Sequence, residues 1–237
     1  MKHAVKIWVL ISSLGLCLSA CGGGSGLGPT EIQKREDKLR EEVTTDWSSY
    51  GTGSYEDAIE AFTQTLEQAD LIEGIEPGVK NQIKSEAQNG IGWSFFKTQS
   101  LDDASVAFRQ ATSLNGRNAD AWAGWAGVSL AQKRWGDAAQ FAVQTLDLDP
   151  NYNSANRLLA EGDGGKIIGH DHFDARHVRL LLAESYFQLG RYSAIERPDP
   201  NNAAAQVRLI RGQFKYRDPG HLVETIGLIA QELQESL

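Results

Sequence analysis

The chain has 237 residues, 41% of them hydrophobic and 23% charged, and its 31 acidic against 23 basic side chains leave a formal net charge of −8. This acidic balance argues against nucleic acid as a partner, and more weakly against direct docking on anionic lipid. Its two cysteines, Cys17 and Cys21, both lie at the start, so the body that follows has neither thiol nor disulfide and is held by packing alone.

The first element is a leader. Lys2 and Lys6 make it positive, and Ile7 to Leu16 form an apolar stretch too short to span a bilayer as a stable helix. It ends in Leu18-Ser19-Ala20-Cys21, which resembles the lipobox of bacterial lipoproteins. The alternative is an ordinary secretory signal cut after Ala20. The lipobox resemblance implies that residues 1–20 are removed, that Cys21 is lipidated, and that the mature protein hangs from a membrane. Three acyl chains hold far more firmly than the marginal single chain. Removing two lysines and no acid takes the charge to −10. Gly22 after the cysteine resembles the outer-membrane default of Gram-negative sorting, facing the periplasm. Residues 21–30 then read as the lipidated cysteine and a flexible tether, whose nine residues from Gly22 span roughly 15–18 Å.

Repeats follow. Ala58, Phe62 and Thr65 are echoed by Ala104, Phe108 and Ala111, and by Ala138, Ala142 and Thr145 with Pro150 beyond. The last two sets lie 34 residues apart. Upstream of the second set stands Gln88-x2-Ile91-Gly92-x2-Phe95, upstream of the third Trp122-x2-Trp125-Ala126-x2-Ser129, and a fourth unit reads Arg179-x2-Leu182-Ala183-x2-Tyr186 with Gly190 and Tyr192 after it. Period and register resemble the tetratricopeptide repeat (TPR), with its W-x2-L-G-x2-Y first helix. The resemblance implies an all-α, right-handed solenoid of three to four helix-turn-helix units over residues 31–202, capped by helices in 203–237. Small residues let helices approach and large ones fill the gaps, and no unit buries its apolar face alone. An unrelated all-α bundle is the alternative.

Two spacings break the period. The step from the first unit to the second is 46 residues, which predicts an insertion near 72–83 with Gly74, Pro77 and Gly78 in a loop and a longer helix from near Val79. The step from Trp135 to Tyr192 is 57, which predicts a second insertion near 152–174: a helix from Tyr152 to Glu161, a stop at Gly162-Asp163-Gly164-Gly165, and a restart near Asp174. The fourth unit's second helix is cut short by Pro198 and Pro200. Further helices are expected over Ala203 to Tyr216 and, after Asp218-Pro219, over Leu222 to Leu237 with Leu222, Ile226, Ile229 and Leu233 on one face. Glu31 to Glu42 predicts a charged helix serving as a cap or stalk.

The second insertion holds three of the five histidines, at His170, His172 and His177, with Asp171 and Asp174. Histidine and carboxylate suit zinc, so His170, His172, Asp174 and His177 are candidate metal ligands, although their spacing matches no zinc motif. The competing reading makes Asp174 the cap of the next helix and Phe173 a hydrophobic staple. No nucleophile elbow, catalytic cysteine or phosphate loop is present, so no enzyme and no cofactor is expected.

The TPR resemblance implies a groove lined by the first helix of each unit. Its register puts Trp47, Tyr50, Trp93, Phe96, Leu130 and Phe187 there, and aromatic rows suit a partner peptide or helix. Cover by the protein's own terminal helices is the alternative. The carboxylate-clamp positions of chaperone-binding relatives carry Val43, Asn89, Ala123 and Leu180, of which only Asn89 is polar. The expected function is a membrane-anchored interaction scaffold of the cell envelope, with a protein partner. A metal- or small-ligand-binding envelope protein centred on 170–177 is the alternative.

Overall fold

The computed structural model describes residues 28–158, 167–193 and 200–235. The leader, Cys21 and most of the expected tether lie outside the described residues. Nine α-helices run through the described chain: α1 (Pro29–Gly51), α2 (Tyr55–Leu71), α3 (Pro77–Lys97), α4 (Leu101–Leu114), α5 (Ala119–Ala131), α6 (Trp135–Leu148), α7 (Ala175–Gln188), α8 (Ala203–Arg211) and α9 (Pro219–Gln234). Between α6 and α7 lie a single 3-10 turn, Ser154–Asn156, and two short antiparallel strands, β1 (Arg157–Leu158) and β2 (Ile167–Ile168).

Each helix from α1 to α7 packs on the next, α6 on α7 included although the strand pair lies between them in the chain, and the odd helices also pack on one another, α1 on α3, α3 on α5, α5 on α7 and α7 on α9. That ladder of second neighbours is the contact pattern of a helical solenoid, in which stacked hairpins share one continuous core. No helix among the described residues is long and apolar enough to cross a membrane.

The seams follow from residue size. Phe62 of α2 lies where a Cβ on Gly90 of α3 would come within 2.2 Å of its ring. Phe108 of α4 does the same between two helices, 2.7 Å from a Cβ built on Gly92 and 2.3 Å from one on Gly124. Only glycine admits such approach. Ala58, Ala104 and Ala138, expected to let helices close up, are fully buried.

Every first helix ends the same way. The second residue beyond it has positive φ: Gly53 (86°), Gln99 (64°), Lys133 (60°) and Gly190 (74°). After α3, α5 and α7 the next amide donates back to the carbonyl five residues earlier, as in Ser100 N to Phe95 O, Arg134 N to Ser129 O and Arg191 N to Tyr186 O. This is the Schellman closure, which satisfies carbonyls the helix leaves free.

Several expected elements take a different form. The charged stretch Glu31 to Glu42 is no separate helix but the first half of α1, whose later turns bury Leu39, Val43, Trp47 and Tyr50. It starts at Pro29, a residue suited to the first helical position, so Pro29 and Thr30, expected in the tether, are helical. The first insertion is mostly helix: α2 has 17 residues against 14 in α4, and α3 has 21 against 13 in α5.

The helix expected from Tyr152 is absent among the described residues. Asn153 Oδ1 accepts from Ala155 N, an Asx turn that competes with helix. The backbone of this segment pairs instead with the returning chain beyond the second strand: Ser154 N to Phe173 O, His170 N to Ser154 O and Ala175 N to Tyr152 O. The helix from Ala203 stops at Arg211, because Gly212 turns the chain with φ 59°. It packs on α7 and so fills the place of the fourth unit's second helix. The last helix begins at Pro219, capped by Asp218, and buries Leu222, Ile226, Ile229 and Leu233.

Candidate functional site

The site is built from the start of α5. Asn118 caps that helix through Ala121 N at 3.1 Å, which puts Asp120 in the first turn, where the positive end of the helix favours a carboxylate. Asp120 is only 1% exposed. Its carboxylate accepts from Asn89 Nδ2 at 2.6 Å and Trp93 Nε1 at 3.0 Å, both on α3. From the insertion it accepts the Tyr152 hydroxyl and His170 Nε2, the latter at 2.9 Å, while Arg157 Nη2 stands 3.3 Å away.

A second carboxylate, Glu86 of α3, accepts from Arg157 Nη1 at 2.9 Å and Asn118 Nδ2 at 3.0 Å. A third, Asp171, accepts from Tyr50 OH at 2.9 Å and pairs with Lys97 Nζ at 3.0 Å. Asp171 has φ 37°, in the left-handed region that side chains seldom adopt. The rings complete the seat. His170 stacks on Trp47 with centroids 4.7 Å apart and an interplanar angle of 11°, and lies 4.8 Å from Trp93. The Arg157 guanidinium sits 4.9 Å above the Trp47 ring, a cation–π contact. Ser154 Oγ ties the two ends of the insertion together, donating to the His170 carbonyl and accepting from Phe173 N.

Charge pairing dominates the protonation states. Burial pushes Asp120 up, but Arg157 and His170, with the hydrogen bonds from His170 and Tyr152, hold it well below the usual carboxylate range. Burial lowers the imidazole of His170, and the Asp120 carboxylate more than offsets this, so its pKa is raised. Burial likewise raises Asp171, but His170, Lys97 and Tyr50 bring it down. The seat is closed as it stands. The His170 and Asp120 side chains are 0% and 1% exposed, so no reactant reaches the pair without a movement of the insertion. Beside it opens a polar cleft of about 960 Å3, bordered by Arg40, Gln82, Glu86, Asn118, Asn156 and Arg157.

The residues expected along an open groove are distributed otherwise. Trp47, Tyr50 and Trp93 do converge, but at 2%, 2% and 3% exposure they are buried beneath the insertion rather than beneath a terminal helix. Phe96 is half-buried against the edge of Trp93. Leu130 and Phe187 are half-buried on α5 and α7, Phe187 against Tyr192, and neither joins the cluster.

The four candidate metal ligands do not converge. His170 faces Asp120, His172 is exposed, and His177 closes a capping box with Asp174. Among the described residues no group of three or more His, Cys, Asp or Glu side chains is placed to hold a metal ion. Asp174 caps α7 by accepting from Arg176 N and His177 N, and Phe173 packs on the His177 ring. Sequence reasoning misses Asp120, Glu86, Tyr152 and Arg157. Its one signal is Asn89, the lone polar residue at a clamp position, which binds Asp120.

No family model matches the chain, and no curated protein matches it. Among solved structures it is similar to nearly identical TPR-like repeats assigned to a kinesin light chain of Podosopora anserina, at 13% identity over 84% of this chain and 98% of that one, with a TM-score of 0.46. A point variant of those repeats covers 85% and 98% at 13% identity, with a TM-score of 0.47. A structure assigned to a protein-binding protein of Bacteroides ovatus covers 83% and 98% at 15% identity, with a TM-score of 0.34.

Proposed function

We propose that this chain is a protein-interaction scaffold of the bacterial envelope, anchored by lipid at Cys21 and holding a partner segment on the face formed by its odd-numbered helices. The observation that carries the reading is the cleft of about 960 Å3, bordered by α1, α3, α5 and the insertion, with hydrogen-bonding side chains along its walls. A polar trough across successive hairpins suits an extended peptide, whose backbone needs donors and acceptors along its length. The Leu18-Ser19-Ala20-Cys21 leader supports the anchor and the envelope location, and Gly22 supports an outer-membrane site facing the periplasm. Assembly of outer-membrane, pilus or secretion complexes is the kind of task such an adaptor serves.

The test is crosslinking in living cells, with photo-reactive residues at Gln82 and Asn156, followed by mass spectrometry of what co-purifies. Recovery of one defined envelope protein is expected. Recovery of nothing above background from a folded, correctly localised protein would sink the reading. Metabolic labelling with a palmitate analogue tests the anchor separately, and Cys21→Ser should abolish incorporation.

A further inference from the structure

We infer that the seat formed by Trp47, Glu86, Trp93 and Asp120 is a receptor for an arginine-bearing extended segment, and that the insertion occupies it as a tethered stand-in. The inference rests on the scaffold reading above and names the partner's chemistry.

The seat's present occupant defines what it accepts. Arg157 lies between two carboxylates, 2.9 Å from Glu86 and 3.3 Å from Asp120, with its guanidinium over Trp47. A planar, delocalised cation meets both demands, whereas a lysine ammonium cannot form the same fork or stack on the ring. The occupant comes from between repeats. The helices on either side of it, α6 and α7, also meet each other directly.

The occupant's fit is incomplete. Arg157 Nε and Nη2 and, on the receptor side, Asn89 Oδ1 and Trp47 Nε1 are buried without a hydrogen-bond partner among the described residues, and His170 Nδ1 stands 3.6 Å from Asp171 Oδ2. Buried polar groups are ordinarily paired, and four orphans at one contact call for an explanation. A partner that satisfies them has an advantage over the tethered segment. Asp171, which closes the contact onto Tyr50 and Lys97, does so from a left-handed backbone. The remaining partner chain has a place to lie, because Glu86, Asp120 and Arg157 border the polar cleft as well as the seat.

The probe is a fluorescein-labelled peptide with the sequence of residues 152–174, titrated by anisotropy against the full chain. The unmodified chain should bind weakly, since its own copy competes at high effective concentration. Arg157→Ala with His170→Ala in the chain weakens that copy and should tighten peptide binding about tenfold or more. Arg157→Lys in the peptide should undo the gain. A folded double variant that binds no more tightly, or a lysine peptide that binds as well, would overturn the inference.

Should the double variant fail to fold, hydrogen exchange on the unmodified chain decides. The Ser154 and His170 amides, which bond across the insertion, should exchange by local opening, well ahead of α3 and α5. Exchange only together with those helices, through global unfolding, would overturn the inference. Peptide binding without any partner recovered from cells would sink the scaffold reading alone. A recovered partner that the peptide fails to displace would sink this inference alone.

Discussion

At the α2–α3 and α4–α5 seams, phenyl rings fill space that glycine leaves open, with Phe62 against Gly90 and Phe108 against Gly92 and Gly124. At the start of α5, an equally buried volume holds a carboxylate, a guanidinium, an imidazole and a phenol around Asp120. The seam is stabilised by area removed from water and by tight packing, both insensitive to pH. The seat is stabilised by charges that must be paired because they are dry. A seam tolerates no change of volume. A seat answers to a change in charge count.

The largest expected effects test that contrast directly. Phe108→Ala should cost about 3–5 kcal/mol by denaturant titration, the range for emptying a buried aromatic site. Asp120→Ala should cost a similar amount, about 3–5 kcal/mol, because it takes from His170 the carboxylate it faces and from Arg157 one of its two counter-charges. The two variants part on a second axis. Hydrogen exchange in Asp120→Ala should rise first in 152–157 and 168–174, whereas in Phe108→Ala it should rise along α4 and α5. Uniform loosening in both would collapse the distinction.

The pH dependence comes next. The folded pKa of His170 is raised above its ordinary 6.5, so its contribution is fully present below about 6.5 and is lost as pH rises through the folded value. The depressed Asp120 works in the opposite sense, contributing above about 3.8 and fading in acid. Stability measured across pH should therefore fall on the alkaline limb in the unmodified chain. That limb should flatten in His170→Gln, while Phe108→Ala should shift the whole curve without changing its shape. An unchanged limb in His170→Gln would remove the imidazole from the account.

Smaller effects probe local devices. Asp174→Ala should lower stability by about 0.5–2 kcal/mol through loss of the α7 cap. The same variant should leave any bound metal content unaltered, and a stoichiometric loss of metal would restore the histidine-centred alternative. Lys133→Gly should raise stability by up to about 1 kcal/mol, by relieving a positive φ at a turn where glycine is favoured. A decrease would mean that the Lys133 side chain makes contacts worth more than the strain.

What is legible in the sequence follows the same division. The seams recur with a local period, so Phe62, Gly92, Phe108 and the buried alanines stand out from spacing alone. Helix starts at Asp174 and Asp218 are equally local, since a cap is a matter of three adjacent residues. The seat is not local. It joins Asn89 to Asp120 across 31 positions, Glu86 to Arg157 across 71, and Tyr50 to Asp171 across 121. No period relates those residues, and charged side chains in an insertion read as solvated until something buried is found to receive them. Trp47, Tyr50 and Trp93 group together by their place on the first helices. Their role as the floor beneath Arg157 and His170 needs the fold. The helix expected from Tyr152 fails for a related reason: its backbone bonds go to residues near 170, which no window around 152 contains.

The corner that closes each first helix bears on how such a chain can grow. The positive-φ residue stands two places beyond the helix end in all four units, at 53, 99, 133 and 190, and in the first three the next helix begins two residues after it, at Tyr55, Leu101 and Trp135. Among these first three units the departures from the 34-residue step lie instead on the return side, in the longer helices α2 and α3 in one case and in the strand pair between α6 and α7 in the other. The two kinds of connection are therefore unequal as building sites. A reporter, an epitope or a foreign loop spliced into the crossing between α6 and α7 lengthens a passage that already carries an insertion, whereas one added residue at a three-residue forward corner breaks its closure and unseats the hairpin.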